Sequence, residues 1–228
     1  MKVPNYRTTF AAIPLAGGGF ALTFTPAFAG NLRKMMVDSS NEAAAFCIEN
    51  LGYGWINGAL ASGAFFDPGI STGVWLAGTF TGSRPRVRIP SVNDGGVAQA
   101  MTCFDMANLC AHVFARTLFE PTDAGACDEI MSLMFDAQTL GPDPAFITRP
   151  TVAPPGLSYA VTNTKIGLGP LKRENGGFDV ASEASFVEHV DTGAKFLVVW
   201  QNSRNDRPSL TAVSFIVDTT IRAFLGLP

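Results

Sequence analysis

Apolar positions along the chain follow two rhythms, and the switch between them divides the sequence. Up to about residue 155 the recurring spacing is helical. After Thr102, whose hydroxyl can cap the chain, Met106, Leu109, Cys110, Val113 and Phe114 form a stripe at three- and four-residue intervals, predicting a helix that finishes near Leu118. Ser39-x-x-Glu42 has capping-box spacing ahead of three alanines, predicting a helix from Ser39 to about Asn50, where Gly52 and Gly54 stop it. A short helical turn over Asn31 to Met36 precedes it, and a further helix covers about Ala126 to Ala137. Residues Leu51 to Asp94, rich in Gly, Pro and aromatics, read as short helices and long packed loops; prolines from Pro142 to Pro155 mark an irregular crossing.

From Tyr159 the period shortens to two. Tyr159–Leu168, Gly177–Val190 and Ala194–Gln201 read as three strands, separated by the turn signals Glu174-Asn175-Gly176-Gly177 and Asp191-Thr192-Gly193. A last helix is expected from near Pro208 to Gly226, with Leu210, Val213, Val217, Ile221 and Phe224 on one face. The expected fold is α+β, of the α/β sandwich type. It has an antiparallel sheet of at least three strands with its C-terminal helix (156–228), a mainly helical domain (30–155), and an N-terminal segment (1–29). The run Phe196 to Trp200 is apolar on both faces, so it needs layers above and below and paired neighbours on both sides. The chain offers only the preceding strand and the last helix, unless residues 1–29, or a partner chain, add a strand.

The N-terminal segment supports two readings. Thr8 to Ala29 holds no charge, follows Lys2 and Arg7, and ends in Ala27-Phe28-Ala29, the small-x-small form of an export cleavage site; that reading implies a periplasmic or secreted protein. Pro4, Pro14, Pro26 and Gly17-Gly18-Gly19 speak instead for an ordinary folded segment and against a membrane anchor.

A net charge of -3, from 16 basic and 19 acidic residues, creates no field that would gather nucleic acid or anionic lipid. The basic group Arg84, Arg86 and Arg88 reads as a solvated edge. Cys47, Cys103, Cys110 and Cys127 contain no C-x-x-C unit, so no metal site is expected, and no cofactor fingerprint occurs. Buried thiols are the expected state, with a Cys110–Cys127 bridge left open. His112 and His189 neighbour no serine–acid pair and read as core or surface residues.

The residues left with chemistry in them are Ser39-Ser40-Asn41, at a helix start, and Lys165-Ile166-Gly167, on the first long strand. In this order, and followed by two strands and a helix, they resemble the second and third signatures of the penicillin-recognising serine hydrolases, the β-lactamase-like and penicillin-binding-protein-like enzymes. The likeness covers about residues 30 to 228. It implies acyl-enzyme chemistry on β-lactam, D-alanyl peptide or ester-type substrates. Ser39 would relay a proton, Asn41 would hold the substrate amide or steady the catalytic lysine, and Lys165 would bind the substrate carboxylate. Gly167 would let the acyl group lie close, and the Leu168 N–H would donate to the oxyanion.

Two departures qualify the resemblance. Ile166 stands where family members carry a hydroxyl for carboxylate contact, so binding of the usual substrates loses a partner. No serine is followed three residues on by lysine: Ser39 gives Glu42, Ser83 gives Arg86, Ser91 gives Asp94 and Ser132 gives Phe135. The family's nucleophile motif, S-x-x-K, is therefore absent, and the resemblance implies a nucleophile-bearing block outside these residues, in a missing N-terminal segment or a partner chain. The alternative is a non-catalytic descendant that binds cell-wall peptide or a protein.

Overall fold

In the N-terminal stretch, a paired hairpin is held to the following helix by aromatic contacts. The computed structural model describes residues 5–70, 72–76, 99–120, 124–149, 155–169, 180–202 and 210–228. A single turn, α1 (Tyr6–Thr9), leads into the hairpin β1 (Phe10–Pro14) and β2 (Phe20–Phe24). Its bend uses Gly18 and Gly19 at φ +85° and +86°, values that residues with a Cβ rarely adopt. Phe10 stacks on Phe24 at 5.6 Å and Phe24 meets Phe28 at 5.0 Å, which seats the hairpin on the next helix. Residues 10–24 thus form a two-stranded sheet of their own and add no strand to the main one.

The helix α2 (Pro26–Val37) is longer than the turn expected from Asn31. Pro26 was the misleading residue: at the first helical position its missing N–H is no loss, and the Thr25 hydroxyl caps the helix by accepting from the Phe28 N–H at 3.2 Å. Next come α3 (Asn41–Leu51), α4 (Tyr53–Ser62) and two minimal hairpins, β3 (Phe66–Asp67) with β4 (Thr72–Gly73), and β5 (Trp75–Leu76) with β6 (Gln99–Ala100). Thr102 caps α5 (Cys103–Phe114) by accepting from the Asp105 N–H at 3.0 Å. The helix α6 (Ala124–Thr139) overruns its expected ends, and a 3-10 turn follows at Phe146–Thr148.

The three long strands β7 (Tyr159–Gly169), β8 (Val180–His189) and β9 (Lys195–Asn202) form one antiparallel meander in that order, and α7 (Leu210–Phe224) closes the chain. The α+β architecture is as expected, with the sheet and its terminal helix packed against a mainly helical part. Arg84, Arg86, Arg88, the 174–177 turn, Gly177 and Pro208 lie outside the described residues.

The pleat sorts the sheet into two faces. Lys165 lies opposite Ala184, which lies opposite Val199; this face, with Phe186 and Leu197, packs on Cys110, Met106, Ile130, Met131 and Met134 of α5 and α6. Ile166 lies opposite Glu183, which lies opposite Trp200; this second face, with Val187, Phe196 and Val198, packs on Ala145, Ile147, Val217 and Ile221. The apolar run of β9 thus gains the two layers it needs. Among the described residues, no strand pairs with its outer edge.

All four cysteines are free, so the Cys110–Cys127 bridge does not form. The His189 ring is buried and its Nδ1 accepts from the Thr192 N–H at 3.2 Å, holding the β8–β9 turn, while His112 meets the Thr117 hydroxyl at 2.8 Å on the surface. No described helix is long and apolar enough to cross a membrane, and the described residues hold no cluster of three or more potential metal ligands.

Candidate active site

The site begins with how α2 ends. The Asp38 N–H and the Ser40 N–H both donate to the Lys34 carbonyl, at 3.0 and 3.2 Å, which winds the chain off the helix through Ser39 at φ +52°. A closure of this kind normally takes glycine at the left-handed position, because a Cβ there costs of the order of 1 kcal/mol. With Ser39 in that conformation, the cap of α3 passes to Ser40, whose Oγ accepts from the Ala43 N–H at 3.2 Å. The expected helix start is thus displaced by one residue, and Ser39 is released from capping. Its side chain meets Lys165.

Lys165 reaches it from β7. Its Nζ donates a hydrogen bond to Ser39 Oγ across 126 residues of sequence. Gly141, just past α6, helps hold the approach: a Cβ there would sit 2.5 Å from the Val37 carbonyl oxygen and 2.6 Å from that of Ala137, so only glycine lets the two chain segments come this close.

Burial pushes the Lys165 ammonium down to about 8 from its ordinary 10.5, and the negative charge of Asp143 opposes that fall. Asp143 is itself bound to Arg149, whose Nη2 donates to it at 3.3 Å while the guanidinium lies 4.3 Å over the Phe146 ring. Asp143 had no local signal in the sequence; it sits among prolines in an irregular crossing, and only the tertiary fold brings it to Lys165.

The other expected residues are placed unequally. Asn41 opens α3 with its side chain exposed. Gly167 follows Lys165 on the same face, where a Cβ would stand 2.8 Å from Ser182 Oγ. Leu168 is half-exposed. Ile166 turns the other way: it is buried with Phe146, Ala181 and Trp200, so only its backbone is offered to a ligand on the Lys165 face. Alternation along the strand is the reason.

Directly opposite Ile166, Glu183 is 1% exposed and was absent from the sequence-based site. It accepts from the N–H groups of Phe146 at 3.0 Å and Ile147 at 3.3 Å, from Trp200 Nε1 at 3.3 Å and from Ser185 Oγ at 2.6 Å. Burial raises its carboxyl above the usual carboxylate range, while these hydrogen bonds pull it back. Its place on the core face makes it the tie between the sheet and the 3-10 turn.

A half-buried lysine of lowered proton affinity, in contact with a hydroxyl that can donate and accept at once, has the chemistry needed to pass a proton. Two recesses, of about 390 and 370 Å³, lie elsewhere. The first is lined by Leu32, Arg33, Glu129 and Leu133, the second by Phe114, Met131, Phe186 and Leu197; neither includes Ser39 or Lys165.

Comparison of the whole chain with solved structures is decisive for the architecture. A β-lactamase from Sphaerobacter thermophilus superposes with a TM-score of 0.57 over 97% of this chain and 75% of its own, at 16% identity. The fold is β-lactamase-like. A class A β-lactamase from Bacteroides cellulosilyticus gives a TM-score of 0.56 at 16% identity, over 95% of this chain and 75% of its own. The chromosome-encoded β-lactamase of Vibrio parahaemolyticus gives 0.50 at 13%, over 96% and 74%. No family model matches the sequence, and no curated protein matches it significantly. At such identities the β-lactamase-like architecture is shared while residue roles must be argued from this chain's own geometry.

Proposed function

We propose that the chain is the substrate-binding and proton-relay part of a β-lactamase-like serine hydrolase, acting on β-lactam, D-alanyl peptide or ester-type substrates. The observation that carries this reading is the hydrogen bond from Lys165 to Ser39, which joins two widely separated signatures of the resemblance at one point. In this reading Lys165 binds the substrate carboxylate and keeps the groove positive. Ser39 carries a proton between Lys165 and the substrate's leaving nitrogen. Asn41 binds the substrate amide. Gly167 lets the acyl group lie close against the strand, and the Leu168 N–H donates to the oxyanion.

In this reading the nucleophile that opens a β-lactam, the serine of an S-x-x-K motif, comes from outside these 228 residues. Two features of the sheet support a complementing polypeptide: the apolar β9 edge without a described partner strand, and the apolar recess at Phe114, Phe186 and Leu197. Such substrates belong to the cell envelope, which makes the protein periplasmic or secreted. The chain alone is expected to bind a D-alanyl-D-alanine peptide or a penicillin reversibly, with a rise in melting temperature that Lys165→Ala abolishes. A fluorescent penicillin should leave it unlabelled. If millimolar peptide and penicillin both leave the melting curve unmoved, the reading fails.

The absence of S-x-x-K also favours a second reading, a pseudoenzyme that binds cell-wall peptide or a protein partner. An in-frame S-x-x-K in the coding DNA upstream of Met1 would exclude it, and its absence there would favour it over the first.

A further inference from the structure

We propose that Ser39 is itself a nucleophile, with Lys165 as its general base, and that the chain alone forms an acyl-serine ester with activated aryl esters. The proposal uses the same pair as the reading above and needs no second polypeptide.

Three observations carry it. A serine becomes nucleophilic when a base touches its hydroxyl, and Lys165 Nζ is in that contact. The backbone that carries the hydroxyl is defined on both sides: the two bonds to the Lys34 carbonyl bracket Ser39 at φ +52°, and the bare Gly141 fits against the Val37 carbonyl two residues before it. The base also has a proton affinity suited to the task. Ala184 and Val199 line its face of the sheet, burial holds its pKa at about 8, and Asp143, already paired with Arg149, is the charge whose field acts on it. Asp38 and Glu42, the acids flanking Ser39, do not contribute to that displacement. An ordinary lysine would be protonated almost completely at pH 8 and would be no base.

The chemistry balances without a cofactor. Neutral Lys165 takes the Oγ proton as Oγ bonds to the ester carbonyl carbon. The tetrahedral intermediate collapses, the bond to the aryl oxygen breaks, and the aryloxide leaves with the electron pair. Lys165 returns its proton to solvent, then takes one from the water that attacks the acyl carbon and passes it to Oγ as the acyl–Oγ bond breaks, releasing the carboxylic acid and restoring the hydroxyl. An aryloxide leaves without being protonated, whereas a β-lactam nitrogen needs an acid at that moment. Aryl esters should therefore react where penicillin does not.

The test is p-nitrophenyl acetate with the unaltered chain from pH 6 to 9.5, reading the nitrophenolate burst and locating the acetyl group by peptide mass spectrometry. One acetyl on Ser39 is expected, with a burst rate rising through a midpoint near 8. Ser39→Gly suits the positive φ, and Lys165→Arg keeps the charge but cannot serve as a base; each should slow the burst about 100-fold while melting cooperatively. Acetyl on Lys165 or elsewhere, a burst that survives Ser39→Gly, or no burst across the range would overturn the proposal. Loss of peptide binding with Ser39 still acetylated would instead count against the relay reading alone.

Discussion

Replacing Lys165 with methionine should stabilise the protein, and the gain should disappear at high pH. Methionine fills a similar volume without charge, so the variant isolates the cost of holding an ammonium in a half-buried site. Burial lowers the proton affinity from 10.5 to about 8. At about 1.4 kcal/mol per pH unit that drop is worth about 3 kcal/mol, an upper bound from which the hydrogen bond to Ser39, at about 1 kcal/mol, is subtracted. The sign follows from proton counting. Below pH 8 the lysine is charged in both states and its desolvation weighs fully on the folded one. Between 8 and 10.5 the unfolded chain binds more protons than the folded chain, so wild-type stability rises with pH. Above 10.5 the lysine is neutral in both and the penalty is gone. Urea denaturation of wild type and Lys165→Met at pH 7, 8.5 and 10 measures the difference directly. The variant should lead by about 2 kcal/mol at pH 7, and the lead should shrink through the alkaline range. A constant difference, or a wild type that is more stable at pH 7, would show that Lys165 is not desolvated at this contact.

Three further outcomes follow from the packing. Glu183→Ala leaves the buried N–H groups of Phe146 and Ile147 and the Trp200 indole without their acceptor, and should cost about 3 kcal/mol or more by urea titration; a loss below about 1 kcal/mol would mean that water or relaxation replaces it. Gly141→Ala should cost about 2 kcal/mol, because a Cβ would meet two backbone oxygens closer than 3 Å, and the resulting shift at Val37 should weaken the Ser39–Lys165 contact, read as slower acetylation of Ser39. Iodoacetamide should modify Cys103 first in the folded protein, since Cys47, Cys110 and Cys127 are buried and burial pushes the first two up to about 11; alkylation of Cys110 at a comparable rate would refute the packing of α5 on the sheet.

The parts of the fold readable from the sequence were those in which one periodicity dominates. Strand-forming runs bounded by turn signals marked β7, β8 and β9 to within a few residues, and the stripe from Met106 to Phe114 marked α5. Errors arose where one residue type serves two purposes. Pro26 breaks a helix interior but favours a helix start, so its presence hides the first turns of α2. Ser39 and Ser40 are both good caps, and which one caps depends on the conformation that ends the preceding helix, a property of Lys34 to Ser40 taken together. At the site, Ser39 and Lys165 were legible as members of an ordered pair of signatures. The direction of Ile166 was legible in principle, since neighbouring residues on a strand face opposite sides of the sheet. Asp143 and Glu183 were not: the first acts through a loop with no pattern, and the second is an acid in a strand whose burial is explained only by donors from the 3-10 turn.

Two unfavourable features of the chain meet at one atom pair. Ser39 occupies a left-handed conformation that glycine would adopt without strain, and Lys165 carries its amine into a site that lowers its proton affinity. Neither helps the fold. Each would be relieved by a single substitution, Ser39→Gly or Lys165→Met, and the hydrogen bond between them recovers only about 1 kcal/mol of what both give up. Each single change also loses that bond, so the double variant should gain the sum of the two single changes plus about 1 kcal/mol. The arrangement makes physical sense as chemistry: strain fixes the hydroxyl, desolvation brings the amine near neutrality, and together they supply a proton donor and acceptor at the edge of the sheet. Stability is lost at the contact on which the proposed reactivity depends.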